Sequence, residues 1–287
     1  MSVLTVEQAT PRLREAYQRR QLIPFLGAGF SAPLELPQWG KLMEWMGEPF
    51  GFDPALFELN GPPPQLAGYY ELESKDGLSP FIAQMRERFH DPAAEERRRE
   101  SVQHRALARL DFRRIYTTNF EHHIEEALVD AGKRVDVRVR VEDFMRPTEE
   151  SVCQVVKFHG DLEVGNEDTV VLTERQYFDR MRLEAAPDQC LRADLLGNVF
   201  LFIGYSFSDA NIRDIWHRME RLRRDVRPRA DGLAPVRLPR SLMTTFGAGV
   251  VQPRLLEQLH IDMIELNPID KPSSVVELLD TIGGESP

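Results

Sequence analysis

Asn119 and His159 are side chains that could do chemistry, because each stands in a short polar run that ends an apolar one. Asn119 follows Ile115, Tyr116, Thr117 and Thr118, and an amide there can orient a water or a sugar hydroxyl. His159 follows Val155, Val156 and Phe158 and precedes Gly160-Asp161, so its imidazole sits on a turn where it can take up a proton. Two more runs share this setting. Gly27, Ala28, Gly29 and Ser31 follow Ile23, Phe25 and Leu26, and Gly-x-Gly-x-x-Ala spells a turn that can hold a phosphate on backbone N–H groups. Gly204 makes a turn after the most apolar stretch, residues 199–203, and the following Ser206, Asp209 and Asn211 could bind ribose hydroxyls. Every run also has a purely structural reading. The glycines can serve a bend alone, Thr118 and Asn119 can cap a helix with Glu121 closing a capping box, and Ser206 with Asp209 can cap another. His159 can be a packed core histidine, and His122 and His123 read as packing residues because no third metal ligand is visible.

These runs require strands that alternate with helices. Residues 22–26, 115–116, 155–158 and 199–203 read as buried strands, and RVDVRVRV at 134–141 alternates with period two. Trp39, Leu42, Met43, Trp45 and Met46 recur at helical spacing, and residues 40–110 read as a mainly helical insertion. Residues 4–20 are helical after Pro11 and read as a lid helix leading into the first strand. TVVL at 169–172 reads as a short strand before a Thr173 cap and a helix, and the tail adds two strands and two helices. The expected fold is α/β: a Rossmann-like, doubly wound, mainly parallel sheet in a single domain over 1–287. Hydride transfer does not fit. No second strand follows the glycine turn, and Glu48 has the spacing of a ribose-binding acid but the wrong context.

The formal charge of −10 argues against a surface built to grip nucleic acid. The arginines of 218–229 are broken by Glu220 and Asp225 and read as a solvated helix face. Two cysteines, Cys153 and Cys190, cannot form a four-thiolate zinc site. No stretch reaches the roughly 20 apolar residues that span a bilayer, and the first residues lack signal-peptide regions. The expectation is a soluble, cytoplasmic protein.

Taken in order, the motifs resemble those of the sirtuin-like NAD-binding domains of bacterial antiphage defence. The resemblance rests on GAGFS (27–31) with LPQW (36–39), YTTNFE (116–121), KFHGD (157–161), VLTERQY (171–177) and FIGYSFSDANIRDIW (202–216). It implies a sirtuin-like fold and an NAD glycohydrolase that depletes NAD in abortive infection, with NAD as substrate and no zinc. By the same resemblance Asn119 and His159 are catalytic. Gly27, Ala28, Gly29, Ser31, Thr118, Gly204, Ser206, Asp209 and Asn211 then bind NAD. It further implies a homo-oligomer and a separate activating protein, such as a HerA-like ATPase or an Argonaute-type partner, with no sequence-specific nucleic-acid binding and no membrane. Two positions depart from the family: Glu121 stands where Asp is usual, and Glu35 where Gly is frequent, which leaves both roles open. The alternatives are an NAD-dependent protein deacylase and a noncatalytic NAD-binding assembly or sensor module. Against the first, deacylating sirtuins usually carry four zinc-binding cysteines and a GIPDFR-like segment.

Overall fold

A computed structural model describes residues 3–182, 184–205, 210–224, 239–247 and 249–284. Eight strands form one sheet: β1 (Val3–Leu4), β2 (Leu22–Leu26), β3 (Arg114–Thr117), β4 (Arg134–Arg138), β5 (Val152–Lys157), β6 (Val199–Ile203), β7 (Ser241–Thr245) and β8 (Ile261–Glu265). Their order is β1-β8-β7-β6-β2-β3-β5-β4, and every neighbouring pair is parallel. From β2 the chain moves to β3, β4 and β5 on one side, then returns to β6 on the other. The strand order therefore reverses between β2 and β6, which is where open α/β sheets leave a crevice for ligands.

Alternation along the strands divides the interior into two layers. Leu22 and Leu26 of β2, Ile115 of β3, Val155 of β5 and Leu201 and Ile203 of β6 share one buried cluster. Ile23, Phe25, Tyr116, Val156, Phe200 and Phe202 share the other, on the opposite face. Side chains that point alternately to two dry layers explain why these strands read as continuous apolar runs. Val102–Arg109, the last helix before β3, packs into the first cluster through Ala106 and Leu107, whereas a third cluster belongs to the helices from Trp39–Gly47 to Ser79–Phe89. It takes in Phe120, Leu162, Val170 and Leu172, from the loops after β3 and β5. The helical segment is thus fastened to the carboxyl edge of the sheet by those same loops.

Several local expectations are corrected. The first helix is Val6–Gln18, opened by a Thr5–Gln8 capping box, with Pro11 inside it. It is not a lid: Ala9, Leu13 and Ala16 pack into the first cluster with Val275, Leu278 and Ile282 of the last helix, Lys271–Gly283. The expected helical insertion ends in two helices, Pro92–Glu100 and Val102–Arg109, that meet at Ser101. Residues 170–172 form no strand; a 3₁₀ turn at Glu167–Thr169 leads to Thr173, which caps Glu174–Arg180 with Gln176. The Thr118–Glu121 capping box does not form, because the helix after β3 starts at His123 and Glu121 turns elsewhere. Among the described residues, no helix is long and apolar enough to cross a membrane.

Candidate active site

Strand register brings the polar runs together. Leu26 pairs with Ile203 on one side and Thr117 on the other, and Thr117 pairs with Lys157. Gly204, Gly27, Thr118 and Phe158, each one residue further on, therefore stand abreast at the carboxyl edge. Asn119 and His159 each follow by one more residue.

The glycines are explained first by how closely two strand ends approach. The Gly27 N–H donates to the Ile203 carbonyl at 3.1 Å, and that of Gly29 to the Gly204 carbonyl at 2.9 Å. A Cβ on Gly27 would lie 2.6 Å from the Gly204 oxygen, and one on Gly29 would lie 2.9 Å from its Cα. Gly204 itself has φ +64°, and a Cβ there would meet the Phe30 nitrogen at 2.1 Å. The loop then makes a single 3₁₀ turn, Ala32–Leu34, rather than the long helix of a dinucleotide fingerprint. Helix Trp39–Gly47 begins only after Glu35, whose φ of 53° is left-handed. Glu35, a departure from the glycine that the resemblance implies, thus holds a backbone conformation that favours glycine.

Asn119 is buried and held from several directions. Its N–H donates to Thr117 Oγ1 at 3.0 Å, and its Nδ2 donates to Ser31 Oγ at 3.1 Å, Glu121 Oε1 at 2.9 Å and the Gly27 carbonyl at 3.4 Å. Ser31 in turn donates its hydroxyl to Glu121 Oε1 at 2.6 Å. Glu121 Oε2 has no hydrogen-bond partner among the described residues. Burial works against an ionised Glu121, but the charges of Lys157 and His123 and the bonds from Ser31 and Asn119 outweigh it and lower its pKa.

Lys157, fully buried below the site, donates to the Glu121 carbonyl and pairs with Glu125 Oε1 at 3.0 Å. Burial would discharge it, yet Glu125, Asp161 and Glu121 raise its pKa. Glu125 is pushed upward by burial, while Asp161, bonded to His122, is held below its usual range despite burial. One ammonium thus anchors the carboxylates behind Asn119.

His159 stands on the next strand end, 5% exposed. Its carbonyl accepts from Val171 N–H at 2.9 Å, and the Tyr177 ring meets the imidazole edge-on at 5.5 Å. Gly160 has φ +91°, and a Cβ there would lie 2.2 Å from the Thr169 carbonyl oxygen. His122 bonds Asp161, and His123 donates Nε2–H to the Phe89 carbonyl at 2.8 Å, so both serve structure. A cleft of about 370 Å³ opens beside the His159 loop, lined in part by Phe158, Gly160, Thr169 and Arg180. Asn119 does not line it.

The SIR2-like domain family matches residues 113–264, just over half of the chain. The chain belongs to that family. The match covers strands β3 to β7 and nearly all of β8, including Asn119, His159 and Gly204, whereas the glycine turn precedes it. Among relatives of this SIR2-like domain is an NAD(+) hydrolase ThsA of Cytobacillus dafuensis, 31% identical over 68% of this chain and 37% of that protein. A second, from Bacillus cereus, is 29% identical over 68% of this chain and 39% of that protein. Defense-associated sirtuin 2 of Bacillus subtilis is 23% identical over 77% of this chain and 21% of its own length. The chain spans well under half the length of these curated relatives.

Gly27, Ala28, Gly29, Ser31, Thr118, Asn119, His159 and Gly204 lie together on the carboxyl edges of four adjacent strands. Ser206 and Asp209 lie outside the described residues, and Asn211 falls in the helix Ala210–Arg224 with its side chain undescribed. Sequence reasoning set Glu121 aside as a departure, yet it joins Ser31 to Asn119. The available signal was an acidic residue two positions beyond Asn119. Lys157 was invisible as a site residue because a lysine ending an apolar strand reads as solvent-facing.

Proposed function

We propose that this SIR2-like domain hydrolyses NAD to nicotinamide and ADP-ribose. The observation that carries the reading is Asn119, buried and fixed by Ser31, Glu121 and the Gly27 carbonyl beside the strand end of His159. The relatives named as NAD(+) hydrolases support the same reaction class.

The chemistry asks little of an acid. The C1′–N bond breaks with its electron pair on nicotinamide, which leaves neutral because the ring nitrogen was already positively charged. The Asn119 amide orients the attacking water and a ribose hydroxyl. As water oxygen bonds to C1′, its proton passes to His159 and then to solvent, which leaves ADP-ribose. The ionised Glu121 favours the oxocarbenium character that develops at the sugar. The Gly27–Ser31 turn, Thr118, Gly204 and the Ser206–Asn211 stretch form the NAD cradle in this reading.

We read residues 1–287 as one unit with residues 40–110 as its helical insertion. It acts in the cytoplasm as a homo-oligomeric abortive-infection effector that a separate protein activates. Defense-associated sirtuin 2 supports the defence role. The test is to incubate the purified protein, alone and with its operon neighbours, with NAD, with and without an acyl-lysine peptide, and to quantify nicotinamide. Release without peptide is expected; release only with peptide would replace hydrolysis by deacylation. His159→Ala and Asn119→Ala should each lower turnover by about 10²-fold or more while the far-UV spectrum stays near wild type. Asn119→Ala should melt lower, because Ser31, Glu121 and Gly27 lose a buried donor.

A further inference from the structure

The VLTERQY motif has no part in the mechanism above, yet its helix, Glu174–Arg180, is the element that holds the His159 loop. We infer that Arg180, locked to Asp188, is a positioning residue for His159. Its Nη1 donates to the Phe158 carbonyl at 2.7 Å, one residue before the imidazole, and its guanidinium lies 4.6 Å from the centre of the Phe158 ring. Nε and Nη2 donate to the two Asp188 oxygens at 3.0 and 2.7 Å, and the Asp188 side chain is fully buried. A planar fork bound on two sides fixes the direction of the third N–H. Lysine, a point charge on a flexible stem, cannot reproduce that geometry.

The rest of the segment acts on the same residues. Val171 N–H holds the His159 carbonyl, the Tyr177 ring closes on the imidazole, and the Thr169 backbone sits where any Cβ on Gly160 would be. The Thr173–Gln176 capping box sets where the helix starts. On its far side Glu174 accepts from Gln65 at 3.2 Å, and Arg175 pairs with Glu71 at 3.0 Å, both on helix Pro63–Glu73. The imidazole is therefore seated by one short helix whose own ends are tied down.

This inference rests on the reading of His159 as proton acceptor, so the experiment has an arm that needs no turnover. In the full chain, Arg180→Lys is compared with wild type for kcat and KM on NAD, and for the histidine ring resonances by NMR, with His159 assigned through His159→Gln. Loss of at least about tenfold in kcat with KM within about twofold is expected, because misplacing a catalytic group acts on the chemical step. The His159 resonances should move while those of the other six histidines stay in place. If kcat is unchanged, or falls with His159 unmoved, the inference is overturned. If wild type releases no nicotinamide, the functional reading fails and the NMR arm alone decides: a displaced His159 upholds positioning, an unmoved one ends it. Should Arg180→Lys not fold, Asp188→Asn, which removes one of the two acceptors and the charge that hold the guanidinium while keeping the shape, is judged by the same readouts.

Discussion

Glu35 holds φ 53° and ψ 36° where the 3₁₀ turn ends, and its side chain is exposed. A side chain in that conformation costs about 1 kcal/mol or more through the contact of Cβ with the carbonyl. Glu35→Gly should accordingly raise stability by about 1 kcal/mol in urea titration. His104 is a second residue with a measurable signature. It is fully buried beside Phe30, bonded to Ser101, and burial lowers its pKa to about 4. Below about pH 6.5 the unfolded chain binds a proton there that the folded chain refuses. Its contribution is therefore flat above that pH and turns against folding as pH falls toward 4, by at most about 1.4 kcal/mol per pH unit. Urea midpoints of His104→Gln and wild type, compared from pH 7 to 4.5, should converge or cross in that direction as pH falls. The placement of Asn119 and His159 just beyond neighbouring strands was legible because each follows an apolar run. Glu121 was not, because Thr-x-x-Glu also spells a cap, and only the folded chain brings Ser31 within reach of the carboxylate.

At the level of elements, the strand ends and the loops leaving them decide the geometry. Gly204→Ala would need a left-handed alanine and a Cβ inside the space of the Phe30 nitrogen. A loss of at least about 2 kcal/mol in denaturant unfolding is expected, with NAD turnover reduced as Gly29 is pushed aside. Wild-type stability in that variant would mean that the two loops separate easily. Strands were readable from apolar runs, since residues dry on both faces leave little doubt about period or burial. Short elements were not. TVVL looked like a strand, but Val170 and Leu172 are apolar because they pack into the helical cluster, not because they pair. Pro11 suggested a helix start, whereas Thr5 and Gln8 supplied a better one upstream.

For the molecule as a whole, a ligand that binds only the folded form should register in its melting behaviour. With His159→Ala to prevent turnover, NAD at about 100 times its Kd should add roughly 2.7 kcal/mol, a rise of several degrees in Tm by scanning fluorimetry. No shift at any NAD concentration would count against NAD as the occupant. The all-parallel sheet explains why that occupant would meet four strand ends at once, and this much followed from strands alternating with helices. Strand order did not: β1 beside β8, and β4 outside β5, depend on pairings between distant segments that no local pattern encodes. The contact of Gly27, Gly29 and Gly204 also bears on how such a sequence can drift. Gly204 fills the room that a side chain on Gly27 or Gly29 would need, and Gly29 with Phe30 fills the room that one on Gly204 would need, so a change at any of them requires a backbone far along the chain to move. A library that randomises the three positions together should return functional variants only as coordinated sets, with the neighbouring loop rebuilt alongside.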